Sequence, residues 1–186
     1  MAIDEQTIQQ FVMSGHGNAA AVREMLAAEP GLLNVRFAPL DESALDAAAH
    51  VGNREIAQFL LDAGSPKTIY AAAMLGEVAI VTSMLRRDPS LASRPGVHGL
   101  SLLFHAALSG NPAAADAVYA TSPAGDMNAV LHAAVASGNL PMVEWALAQE
   151  PDVNTPRYDQ KTPLQVALGA GNAAIAARLR KAGARE

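Results

Sequence analysis

The chain has 186 residues, with 13 Lys and Arg against 18 Asp and Glu, a formal net charge of −5, no cysteine, and only 4% aromatic residues in a composition that is 51% hydrophobic. The acidic balance argues against nucleic acid or an anionic membrane as the main partner, and the absence of cysteine excludes disulfides and thiolate metal sites. No stretch approaches roughly eighteen uninterrupted apolar residues, and residues 1–6 carry no basic and apolar leader pattern, so a cytoplasmic protein without a membrane span is expected. Abundant alanine with few rings favours helices packed at close range.

Taken in chain order, the pattern is one of paired helices. A polar opening, Asp4-Glu5-Gln6, leads into a helix anchored at Ile8 that ends at Gly15, and Gly15-His16-Gly17 reads as a helix-helix turn. Leu45 anchors the next first helix, Ser43 to Gly52, which an amphipathic second helix from Arg54 to Gly64 follows. Ile69 anchors Thr68 to Gly76, Leu103 anchors Ser101 to Gly110, and Leu131 anchors Val130 to Gly138, with a second helix through Met142 and Leu147 behind it. The last unit opens with Thr162-Pro163-Leu164, where threonine caps and proline fits the first helical position, and closes at Gly171. Phe59 and Trp145 fall at the same offset in their second helices and are expected to pack in the outer layer.

The six anchors lie 37, 24, 34, 28 and 33 residues apart, so the units alternate. Taken two at a time the period is regular: Ile8 to Ile69 to Leu131 gives 61 and 62, and Leu45 to Leu103 to Leu164 gives 58 and 61. Long connectors follow Glu29-Pro30, Asp88-Pro89 and Glu150-Pro151, whereas short ones run through Ala63-Gly64-Ser65-Pro66-Lys67 and Ser122-Pro123-Ala124-Gly125-Asp126.

This pattern resembles the ankyrin repeat, whose signature is Thr-Pro-Leu-His, two alanines, glycine, and a second helix ending in Gly-Ala. Thr162-Pro163-Leu164 with Ala182-Gly183-Ala184, and Leu131-His132 with Gly138-Asn139, match it best. Only one unit has Thr-Pro, and Gln9, Asp46, Tyr70, Phe104 and Gln165 stand where His132 holds the signature histidine. The resemblance implies an all-α, ankyrin-type helical-repeat solenoid of six helix pairs, a single domain over residues 1–186. Its long connectors would project as short hairpin fingers and its short ones would delete them, leaving a notched edge. The resemblance also implies that first helices line a concave side and that His132 makes structural hydrogen bonds near a turn.

Each finger carries one arginine, Arg36, Arg94 or Arg157, suited to carboxylates or phosphates through the guanidinium fork. The plainer reading is local pairing with Asp41, Glu42 or Asp159. Phe37 and Tyr158 stand beside Arg36 and Arg157, the composition of an interface hot spot. His50 and His105 sit late in first helices, and His98 lies in a finger beside Arg94. A partner-binding face of Arg36, Phe37, Arg94, His98, His105, Arg157 and Tyr158 is therefore expected, on a protein-protein interaction module that acts as a monomer, without cofactor, nucleic acid or membrane. The alternative is a small-molecule binder or enzyme with a central acid-base pocket of Asp46, His50, Tyr70 and His98, set against a plainer reading of these residues as a capping network. No metal site is expected, because neither His-x-x-x-His nor His-Glu-x-x-His spacing occurs.

Overall fold

The computed structural model describes residues 3–122 and 125–186; Met1, Ala2 and, in the second short connector, Pro123 and Ala124 lie outside the described residues. Among the described residues, twelve α-helices form six helix-turn-helix pairs: α1 (Glu5–Ser14) with α2 (Ala19–Ala28), α3 (Ala44–Val51) with α4 (Arg54–Asp62), α5 (Ile69–Leu75) with α6 (Val78–Arg87), α7 (Leu102–Leu108) with α8 (Pro112–Tyr119), α9 (Met127–Ser137) with α10 (Leu140–Leu147), and α11 (Pro163–Gly169) with α12 (Ala173–Lys181). None is long and apolar enough to cross a membrane.

The repetition has a local chemical cause. First helices begin where Asp4, Ser43, Thr68, Ser101, Asp126 or Thr162 accepts a hydrogen bond from a backbone N–H of the first turn. Second helices begin where the asparagine of a Gly-Asn pair does the same, at Asn18, Asn53, Asn111, Asn139 and Asn172. Glu77 breaks the series: it makes no capping bond to α6, and its carboxylate takes Lys67 Nζ at 2.6 and 2.8 Å. Two of the asparagines also tie successive units together, Asn111 Nδ2 donating to Gly76 O and Asn172 Nδ2 to Gly138 O, each at 3.3 Å.

First helices stack α1-α3-α5-α7-α9-α11, and alanines supply many of their buried positions. Ala47, Ala48, Ala49, Ala71, Ala72, Ala73, Ala106, Ala107 and Ala134 are fully buried. Second helices form an outer layer and insert Ile56, Leu60, Val81, Val118, Met142, Ile175 and Leu179 into the interior. As the sequence predicts, Phe59 and Trp145 belong to this layer. Phe59 lies under the Arg23 guanidinium at 5.2 Å, and Trp145 meets the Tyr119 ring edge-on while its Nε1 donates to Asp116 at 2.7 Å. Two apolar clusters meet at α5, which gives Ala71 and Met74 to one and Ile69, Ala72 and Ala73 to the other.

All three long connectors fold into hairpins. The first contains β1 (Arg36–Phe37) and β2 (Glu42–Ser43), antiparallel, with Phe37 opposite Glu42. The second closes with Gly96 N donating to Leu100 O at 2.9 Å and the third with Arg157 N donating to Lys161 O at 3.0 Å. A left-handed residue stands at each tip: Asp41, His98 and Gln160 have φ of 46°, 58° and 64°. Between α4 and α5 no finger forms, and the concave side closes there. Gly52, left-handed at φ 78° after α3, faces Leu108 at the end of α7, where an added Cβ would lie 3.5 Å from Leu108 Cδ2.

Gly15 fixes the angle of the first pair. A Cβ there would stand 2.6 Å from Ala44 O and 2.9 Å from Val12 O, both backbone atoms with no means of yielding. Gly15→Ala is expected to lower stability by about 1–3 kcal/mol, the usual cost of overpacking. Gly17→Ala, with no atom within 4 Å of the new carbon, should cost well under half of that. Urea unfolding of the two variants checks the difference, and equal midpoints would contradict the contact.

Candidate functional site

The first helices and the fingers enclose a concave groove of about 730 Å³. Its floor is apolar, formed by Phe104, Leu108, Ala129, Ala133 and Ala136. At one end stand Arg157 and Tyr158, and at the other His16, His50 and His98.

The histidine end is assembled from four places in the chain. His16 follows α1, and the tight Gly15–Ala44 approach sets it beside the first finger. Glu42 comes from β2, where the next residue, Ser43, is committed to capping α3. His50 occupies the last turn of α3, and His98 the tip of the second finger. Glu42 is completely buried, and its Oε1 lies 3.7 Å from His16 Nε2, 3.0 Å from His50 Nδ1 and 3.6 Å from His98 Nε2. The His50 ring meets those of His16 and His98 edge-on, each at 4.9 Å between centroids.

Hydrogen bonding orients these rings. His16 Nδ1 donates to Met13 O and His50 Nδ1 to Asp46 O, each at 3.1 Å; a carbonyl only accepts, so Nδ1 carries the proton and Nε2 the lone pair. The short His50–Glu42 approach is therefore not a hydrogen bond, since that N–H points at Asp46, and neither oxygen of Glu42 receives one. Burial pushes the Glu42 carboxyl above the ordinary range, opposed by His16 and His98 and reinforced by Asp46. Burial, followed by the charges of His16 and His98, lowers His50 to about 4.

Several expected site residues have other duties. Phe37 is buried at 9% exposure, because the hairpin turns it inward, so it is not a contact offered to a partner. His105 is 2% exposed and donates from Nδ1 to Ser101 O at 2.8 Å; packing against Tyr70 removes it from the surface as well. Arg36 is engaged by Asp41 and by Asp46 Oδ2 at 2.8 Å, and it also reaches the Asp41 carbonyl. Arg157 forms a two-pronged pair with Asp159 at 2.8 Å, whose hydrogen bonds hold that carboxyl well below the usual range. Arg94 lies 3.6 Å from Asp88 and donates to Ser90 Oγ. Local pairing thus accounts for all three finger arginines. Tyr158 is 90% exposed, with the Arg157 guanidinium 5.6 Å from its ring.

Of the group of Asp46, His50, Tyr70 and His98, the two histidines stand together, whereas Asp46 and Tyr70 are engaged by other partners. Asp46 completes the Ser43 capping box and holds Arg36. Tyr70 Oη donates to Arg94 O at 3.0 Å, and burial raises its pKa, so it remains a protonated strut for the second finger. His132 does the same for the third finger, its Nε2 donating to Thr155 O at 2.9 Å. What gathers around His50 and His98 instead is His16, read from sequence as part of a turn, and Glu42, read only as a possible arginine partner.

Stacked helix pairs with projecting hairpins and a ligand-sized concave groove define a helical-repeat solenoid. Residues 103–185, the last three pairs, match the family model of ankyrin repeats (3 copies), so ankyrin repeats are shown in that part of the chain. Ankyrin repeats are generally protein-protein interaction modules. No curated protein matches the chain.

The buried His105 makes the site region sensitive to acid. Burial lowers its pKa to about 4, whereas an unfolded histidine titrates near 6.5. Between those values the unfolded chain binds a proton that the folded chain refuses, so stability is full above the window and lost as pH falls, by up to about 1.4 kcal/mol per pH unit. His50 adds in the same sense and Glu42, with its raised pKa, opposes. The His105 resonance isolates the effect: its Cε1–H shift in NMR should stay constant from pH 7.5 to about 5, and titration near 6.5 would contradict the burial.

Proposed function

We propose that the chain is a monomeric binding module, one solenoid over residues 1–186, whose concave groove takes a segment of a protein partner. The observation that carries this reading is the rim residue Tyr158, 90% exposed beside an apolar floor of first-helix side chains. An aromatic held over an arginine loses little freedom on binding and covers much apolar surface, the usual chemistry of an anchor. Apolar side chains of the partner meet Phe104, Leu108 and Ala133, and its backbone lies along the fingers. Arg157, already neutralised by Asp159, positions Tyr158 and does not act as a free cation.

A second reading, a small-molecule binder, is favoured by one observation, the convergence of imidazoles at the closed end of the groove.

A photo-crosslinking amino acid placed at position 158, and separately at Glu144 on the outer face of α10, tests the first reading in the native host. Adducts are expected at 158 and not at 144. Tyr158→Ala should weaken the captured complex by about tenfold or more. Adducts confined to position 144 would overturn the placement.

A further inference from the structure

We infer that His16, Glu42, His50 and His98 bind one divalent d-block ion of the zinc class. Each residue offers one ligand atom, and all four atoms lie within 4.8 Å of one another. A tetrahedral zinc with bonds of about 2.0–2.1 Å holds its ligand atoms about 3.3 Å apart. The Glu42 Oε1 to Nε2 distances, 3.7 Å for His16 and 3.6 Å for His98, are within a few tenths of that. The wider pairs close by side-chain rotation of His16 and His98, the members whose side chains are 31% and 41% exposed.

The buried carboxylate is the second, independent observation. Glu42 has no exposure, and both its oxygens lack a hydrogen-bond donor. A carboxylate taken from water without a partner costs several kcal/mol unless an opposite charge or a metal meets it. The finger arginine that might have served, Arg36, is spent on Asp41 and Asp46. An ion among the three nitrogens supplies the missing positive charge.

The outer contacts have the form that metal-bound histidines take. Nδ1–H of His16 is held by a backbone carbonyl, which fixes its tautomer and leaves Nε2 for the metal; His50 faces Glu42 with Nδ1, and binding through that nitrogen exchanges its contact with Asp46 O for the ion. Three imidazoles with one carboxylate suit zinc, cobalt, nickel or copper, and not magnesium or calcium, which require oxygen. Because the three rings line the groove, a fifth coordination position opens toward whatever occupies it. The competing account is a plain cluster in which protonated histidines neutralise Glu42 without metal.

Tag-free full-length protein, stripped with chelator, is titrated with Zn²⁺ and with Co²⁺ at pH 7.5. One ion per chain is expected, with a rise in melting temperature and visible Co²⁺ absorption of tetrahedral or five-coordinate type. His98→Ala, on an exposed finger tip, should weaken Zn²⁺ binding by at least about a hundredfold, more than loss of an outer-shell partner, while circular dichroism shows the fold retained. Glu42→Gln separates the two accounts: it should abolish tight binding and leave the metal-free protein as stable as wild type or more so. No thermal shift with either ion, or wild-type Zn²⁺ affinity in both His98→Ala and Glu42→Gln, would overturn the site. Loss of metal-free stability in Glu42→Gln without any metal effect would establish the plain ion cluster instead. Partner crosslinking at position 158 is independent of either result.

Discussion

The inner helices bury many single methyl groups beside leucines such as Leu102, Leu131 and Leu164, and much of the remaining architecture depends on those small side chains. Where Ala72, Ala73, Ala106 and Ala134 fill the buried positions, the helix axes approach closely, and the face the inner helices present to the groove is apolar. Side chains that rise above such a floor come from helix ends and from the fingers. His16 and His50 are helix-end residues and His98 a finger residue, so polar chemistry collects at the margin of the groove while its centre stays apolar. The second helices carry the large aliphatic residues that compensate for the small inner contacts, since burial of one leucine or isoleucine contributes about 1.5–3 kcal/mol.

Finger alternation decides which margins meet. A finger before α5 would stand between α3 and the hairpin that precedes α7. With the short connector in its place, the ends of α3 and α7 approach at Gly52 and Leu108, and His98 reaches a glutamate that belongs to the first finger. Burying that glutamate is unfavourable by itself. The fold holds it there because Ser43 is locked in the capping box beside it and because Gly15 brings α1 against Ala44.

The architecture was legible in the sequence because it repeats: caps, glycine stops and anchors recur, and the uneven anchor spacing marks the three long connectors that form hairpins. Local pairing of the arginines was legible too, since Asp41 and Asp159 lie within a few residues of Arg36 and Arg157. The site was only half legible. His50 and His98 stood out as histidines on the concave side, but His16 looked like a turn residue and Glu42 like a surface acid. Their roles come from a backbone approach at Gly15 and an inward-turned hairpin position, neither of which leaves a spacing along the chain. Phe37 was misplaced for the same reason, as a two-residue strand offers no alternation from which to tell its inner face.

Because long and short connectors alternate, the array has a parity. One helix pair more or fewer upstream of α7 would set two connectors of one kind in succession at the junction. Two pairs, about sixty residues by the anchor spacing, leave the order intact. The unit that can be duplicated or lost while the alternation stays intact is therefore the double repeat, and a length change by a single repeat breaks it where the change falls.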